Sequence, residues 1–219
     1  MAKDSPANRQ QMRHRIAHIA ARMIAEDGIA DYGLAKRKAA RQAGAPDSRN
    51  LPTNLEIEEA LRAYQDLYQA DEHPERVARL RELALDTMRL LDAFDPHLTG
   101  AVLSGAVARH GGIHLQLYTD SQKDVEIFLL NRGIPFRSRE ARVWAGDAML
   151  TIPELVLTTG DTEIHLTVLG HLQRRLPLRL SPDGRPLERA SLQAVEALVR
   201  GQDDTSPLSG VTGPAQALE

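Results

Sequence analysis

Two histidines stand in nearly the same short context, Ile113-His114-Leu115-Gln116-Leu117 and Ile164-His165-Leu166-Thr167-Val168. Apolar and polar residues alternate in each, the period of a strand with one buried face, so His114 and Gln116 project to one side and His165 and Thr167 do the same. Imidazole changes charge near neutral pH and is the commonest ligand of transition metals. The two histidines, with His110 and His171, are therefore candidates for a metal site, although their spacing does not by itself demand one. Ahead of the first copy lies Leu98-Thr99-Gly100-Ala101-Val102-Leu103-Ser104-Gly105, which reads as an apolar strand running into a small-residue turn at Ser104-Gly105. Such a turn lets a phosphate approach the backbone. Arg109 and Lys123 flank it and are placed in sequence to neutralise phosphate charge.

Positioning these side chains falls to a change of period at Pro96. Before it, apolar residues recur at helical spacing. Ile16, Ile19, Ala20, Met23 and Ile24 follow Pro6, a residue suited to the first helical position. A second helix is expected over 34–43, stopping at Gly44. Thr53-Asn54-Leu55-Glu56 is a capping box opening a third, to about residue 69. The fourth starts at His73-Pro74, carries Val77, Leu80, Leu83, Ala84, Met88, Leu91 and Phe94, and ends at Asp95-Pro96. After Pro96 the pattern predicts strands near 99–104, 113–119, 135–144, 153–159 and 162–169, with a helix over 121–132. Thr159-Gly160-Asp161-Thr162 and Pro182-Asp183-Gly184 read as turns, and 191–199 as a last helix. The expected fold class is α+β: an all-helical region over 5–95, a mixed-sheet domain over 96–200, and a disordered tail over 201–219.

The span from Leu98 to about Leu169 resembles the DNA polymerase β-type nucleotidyltransferase superfamily. The resemblance rests on Leu103-Ser104-Gly105, a spacer slightly shorter than the family's, the alternating strand at His114-Leu115-Gln116, and the helix and Gly-Ile-Pro that follow Asp120. It implies a nucleotidyltransferase-like domain in which Ser104 and Gly105 seat the phosphates of a nucleotide. In that family two carboxylates on the second strand hold magnesium; this chain has His114 and Gln116 in those places. Magnesium favours hard anionic oxygens, and His114 suits zinc or copper better. The implied catalytic set is His114, Gln116 and Asp120, with Asp120, Glu154 and Glu163 as the carboxylates left to hold magnesium if transfer survives. The expectation is a nucleotide- or nucleic-acid-binding protein whose catalytic centre is weakened or absent. His165-Leu166-Thr167 also resembles the His-x-Thr motif of 2H phosphoesterases, with Gln116 standing where the first copy needs Thr or Ser. That likeness implies general base and acid roles for His114 and His165.

The N-terminal helices carry a further likeness. Ile16 to Gly28, then Leu34 to Gly44, resemble the opening of a TetR-type helix-turn-helix, here within 12–50. It implies a regulatory protein whose basic residues Lys36, Arg37, Lys38, Arg41 and Arg49 follow a DNA or RNA backbone. Up to Asn50 basic residues outnumber acidic ones, and from Leu51 to Leu98 the balance reverses, which suggests separate modules. Among 219 residues there is no cysteine, which removes disulfides and thiolate metal sites. Only 4% are aromatic, so the cores must rest on aliphatic residues and alanine. The first residues lack the apolar stretch of a signal peptide, and no apolar run approaches the roughly 20 residues that span a bilayer. A cytoplasmic location without membrane partners is the expectation. No P-loop, no Gly-x-Gly-x-x-Gly after a strand and no Gly-x-Ser-x-Gly elbow is present.

Overall fold

The computed structural model describes residues 6–29, 32–45, 51–70, 72–180 and 186–203. Helices α1 (Pro6–Asp27), α2 (Tyr32–Gln42) and α3 (Asn54–Tyr68) form the first group. Their shared core is built largely from alanine: Ala17, Ala20, Ala21 and Ala25 of α1, Ala35, Ala39 and Ala40 of α2, Ala60 of α3, closed by Ile16, Ile24, Ile57 and Leu61. Small side chains let the helix backbones approach closely, so the core is thin in volume but dry. The capping box forms as the sequence requires: the Thr53 hydroxyl accepts from the Glu56 amide at 3.2 Å, and the Glu56 carboxylate accepts from the Thr53 amide at 2.6 Å. The same carboxylate is held by Arg13 of α1 through two bonds of 2.6 and 2.7 Å, which ties α3 to α1.

Helix α4 (Glu72–Leu90) turns its stripe of Val77, Leu80, Ala84, Leu85 and Met88 onto a different core, that of a seven-stranded sheet. The strands are β1 (His97–Thr99), β2 (Ile113–Tyr118), β3 (Phe136–Ala145), β4 (Ala148–Thr159), β5 (Thr162–Leu169), β6 (Leu178–Arg179) and β7 (Arg189–Ser191), in the order β6-β3-β4-β5-β2-β1-β7. β2 and β5 pair in parallel, and the other described pairs are antiparallel. The fold class is therefore α+β with a mixed sheet. One sheet face, with Ile113, Leu115 and Leu117 of β2 and Ile164, Leu166 and Val168 of β5, packs under α4, α6 (Gln122–Asn131) and α7 (Leu192–Asp203). The opposite face is apolar at the end of β2, where Tyr118, Val143, Ile152, Leu169 and Leu178 cluster, and at Val156 of β4, which is buried between Arg137 and His165. The rest of it is polar.

Several expectations need correction. The apolar run expected as a strand over 99–104 breaks at Gly100, whose φ of +76° ends β1, and Ala101–Ser104 forms a single helical turn, α5. The chain reverses at Gly100, and Ser104-Gly105 closes the other end of that turn. Buried Arg81 of α4 explains the choice: it donates to the carbonyls of Val102 and Leu103 at 3.0 and 2.9 Å, satisfying helix-end acceptors that a strand would direct elsewhere. The short strands β6 and β7 were not expected. α7 continues to Asp203, past the expected start of the tail at 201. The turn at 182–184 and the remainder of the tail lie outside the described residues. Among the described residues, no helix is long and apolar enough to cross a membrane.

Candidate functional site

The polar part of the second sheet face is ordered in rows that run across the strands. Register places His114 of β2 beside His165 of β5, and Gln116 beside Thr167. On the outer side of β5, Thr167 pairs with Glu154 of β4, which pairs with Arg139 of β3. Two stretches alike in sequence are thus neighbours in space, in register. Their imidazoles stack with centroids 4.5 Å apart and planes 12° from parallel.

Around this stack the geometry converges on a few atoms. His114, Glu154 and His165 each present a ligating atom within 4.8 Å of the others. His165 is 7% exposed and Glu154 4%. The Arg139 guanidinium reaches across both, its Nε hydrogen-bonded to Glu154 Oε2 and its Nη2 2.8 Å from His165 Nδ1. Since a guanidinium only donates, that Nδ1 is the acceptor and Nε2 carries the proton when the ring is neutral. Nε2 in turn faces Glu163 Oε2 at 3.7 Å, while Glu163 Oε1 is gripped by Arg137 at 2.5 Å. Among the described residues the His114 ring has no hydrogen-bond partner; its contact is the stack. Next to it in the row, Thr99 buries its hydroxyl without a partner among the described residues.

The electrostatics follow from burial. Desolvation, helped by the neighbouring His165, pushes His114 down to about 4, against the pull of Glu154, so it is neutral at physiological pH. Burial works to raise Glu154, yet the interactions with His165 and Arg139 outweigh it and hold the carboxyl below its usual range. Gly112 makes the packing possible: a Cβ there would lie 2.7 Å from the Glu163 carbonyl oxygen and 3.0 Å from His165 Nε2.

The residues singled out from the sequence are distributed unevenly around this centre. His114, His165 and Glu154 come together, with Glu163 at the edge. Gln116 shares the face, but it is 2% exposed and its Oε1 accepts from the Tyr118 hydroxyl at 2.9 Å. Asp120 lies beyond the far end of β2, where Oδ1 accepts from the His171 amide at 3.1 Å. Gly105 sits against the start of α4, its carbonyl 2.8 Å from His73 Nε2, next to Ser104 at the carbonyl end of α5. Arg109 and Lys123 are exposed at opposite ends of β2, separated by roughly 20 Å of strand. Neither His110 nor His171 joins the cluster. On α2, Arg37, Lys38 and Arg41 are exposed opposite the buried alanines, with Lys36 half-buried; Arg49 is outside the described residues. Arg137 and Arg139 were missed in the sequence. Their signal was there, two arginines two residues apart on one strand and hence on one face, but it reads as ordinary solvated alternation until β3 is in register with β4.

This donor set suits magnesium poorly. Of the three carboxylates expected to hold it, only Glu154 is in the cluster, alongside two imidazole nitrogens. Two surface hollows, of about 520 Å³ between α4 and α7 and about 390 Å³ between α1 and the start of α3, lie elsewhere. The sequence matches no known protein-family model and no curated protein.

Proposed function

We propose that the chain binds the phosphate of a nucleotide, or of a nucleic-acid end, at the polar rim of the β2–β5–β4–β3 face, and that it does so without the two-magnesium centre of nucleotidyl transfer. The observation that carries this reading is the in-register pairing that sets His114 beside His165 with Arg139 bonded to the latter. The resemblance to the nucleotidyltransferases gives this same strand to the catalytic carboxylates, and here nitrogen donors stand on it. Arg137 and Arg139 have side chains 70% and 52% exposed, so each can turn to an anion at little desolvation cost. The stacked rings leave no gap for a phosphodiester between them, which favours a ligand at their edges over acid and base acting from opposite sides.

The test is a thermal-shift panel of the four ribonucleoside triphosphates with magnesium or with a chelator. At about 100 times its dissociation constant a ligand contributes about 2.7 kcal/mol, a shift of several degrees for a chain of this size. The expected result is a rise with at least one nucleotide that survives chelation and is lost in Arg137→Gln/Arg139→Gln. A panel flat in both conditions overturns the reading. A second reading rests on the exposed face of Arg37, Lys38 and Arg41 on α2. A DNA duplex in the same panel distinguishes it, because binding there falls steeply with salt and with alanine at those three positions.

A further inference from the structure

We propose that His114, His165 and Glu154 form a site for a borderline divalent transition ion of the zinc or cobalt type, and that the Arg139 guanidinium is the internal cation that keeps this site closed in the metal-free chain. The inference stands independently of any phosphate ligand. Its first support is convergence: three donors from three adjacent strands lie within 4.8 Å of one another, and His165 Nδ1 is 3.7 Å from Glu154 Oε2. Tetrahedral ligation at roughly 2.0–2.1 Å asks neighbouring donors to stand about 3.3 Å apart, so the pair needs to close by only a few tenths of an ångström.

The second support is what fills the space now. The lone pairs of His165 Nδ1 and Glu154 Oε2 both point at one guanidinium. A positive charge already occupies the focus of the two donors, on a side chain that is half exposed and free to swing into solvent. The third is the surround. His165 turns its other nitrogen to Glu163, itself anchored by Arg137, and a carboxylate on the remote nitrogen is the usual outer partner of a ligating histidine. His114 meanwhile stacks beside the focus without a hydrogen bond among the described residues; because an imidazole ligates in its ring plane and the two planes are 12° from parallel, its ring turns out of the stack to complete the site. Two imidazoles and one carboxylate suit zinc, cobalt or nickel and leave a coordination position open for water or an anion.

The experiment uses untagged full-length protein, freed of metal by a chelator and titrated with Co²⁺ near pH 7.5, with the visible d–d bands as readout. Expected are intense bands of a four- or five-coordinate ion saturating at one equivalent in the micromolar range, bleached by Zn²⁺. Glu154→Gln and His165→Gln weaken binding by about 100-fold or more, and Glu163→Gln by about 10-fold. Arg139→Gln, which removes the competing cation, tightens it by about 10-fold, a gain that misfolding cannot imitate. His14 and His18, exposed one turn apart on α1, are the foreseeable adventitious ligands. A His14→Ala/His18→Ala chain must keep the signal. Loss of the bands in that variant, their absence from the wild-type chain, or their appearance only after Arg139→Gln each overturns the proposal.

Discussion

Gly112 decides how closely two strands can approach at the histidine cluster. A methyl group there would meet the backbone carbonyl of Glu163 at 2.7 Å, an atom that cannot rotate away, and His165 Nε2 at 3.0 Å. Gly112→Ala is therefore expected to cost about 1–3 kcal/mol as the strands shift to relieve the clash. Gly201→Ala is the control: among the described residues nothing lies within 4 Å of a Cβ there, and replacing a helical glycine is neutral or gains at most about 1 kcal/mol. Urea melts of the two variants check the contrast, and equal stabilities would show that the β2–β5 contact yields freely. At this scale the sequence was partly informative. His114 and His165 could be read as a pair from their matching contexts, because alternation alone fixes which side chains share a face. Glu154 was visible only as a carboxylate for magnesium, and Arg139 not at all as part of a site, since their partners are set by strand register, which no local pattern encodes.

Among the elements, the join between α1 and α3 carries a pH dependence with a definite sign. The hydrogen bonds from Arg13, against a smaller opposing effect of burial and with help from Thr53, hold Glu56 down to about 2. A carboxylate depressed in the folded state stabilises fully above its unfolded value, near 4.3, and loses that contribution as pH falls toward the folded value. Both partners are about a third exposed, so solvent screening limits the ion pair to roughly 1 kcal/mol. Glu56→Gln should be less stable than the wild-type chain at pH 6, with the difference shrinking between about pH 4 and 2; a constant difference across that range would contradict the assignment. The helices themselves were legible because their period of 3.6 is sustained over many residues, and the capping box marked the start of α3 to the residue. The stretch after β1 was not. The apolar run from Ala101 to Leu103 is too short for periodicity to separate strand from helix, and the deciding contact, Arg81 on Val102 and Leu103, comes from another element.

Across the whole molecule, one short segment belongs to two cores at once. Ala106 and Ala108 enter the alanine-rich core of α1–α3, while Val107 between them enters the core beneath the sheet. Gln65 of α3 fastens the segment to the first group by donating to the Val107 carbonyl at 2.6 Å, while His73 Nε2 at the start of α4 meets the Gly105 carbonyl at 2.8 Å. The two cores are expected to unfold as one. Trp144 of β3, the chain's single tryptophan, reports the sheet, while far-UV circular dichroism is dominated by the helices. Their urea transitions should superimpose. In Gln65→Ala the dichroism trace should gain an early step that Trp144 fluorescence lacks, because the alanine core buries little area by itself; a single unchanged transition there would assign the coupling to other contacts. The strand order also governs when the histidine cluster can exist during folding. Glu154 and His165 sit on the two arms of the β4–β5 hairpin and meet as soon as that local turn closes. His114 comes from before α6 and β3 and arrives only when β2 docks in parallel against β5, a long-range closure of the kind that is slow to form. A nascent or partly denatured chain therefore holds two of the three donors and lacks the third, so the complete triad marks a sheet that has finished assembling.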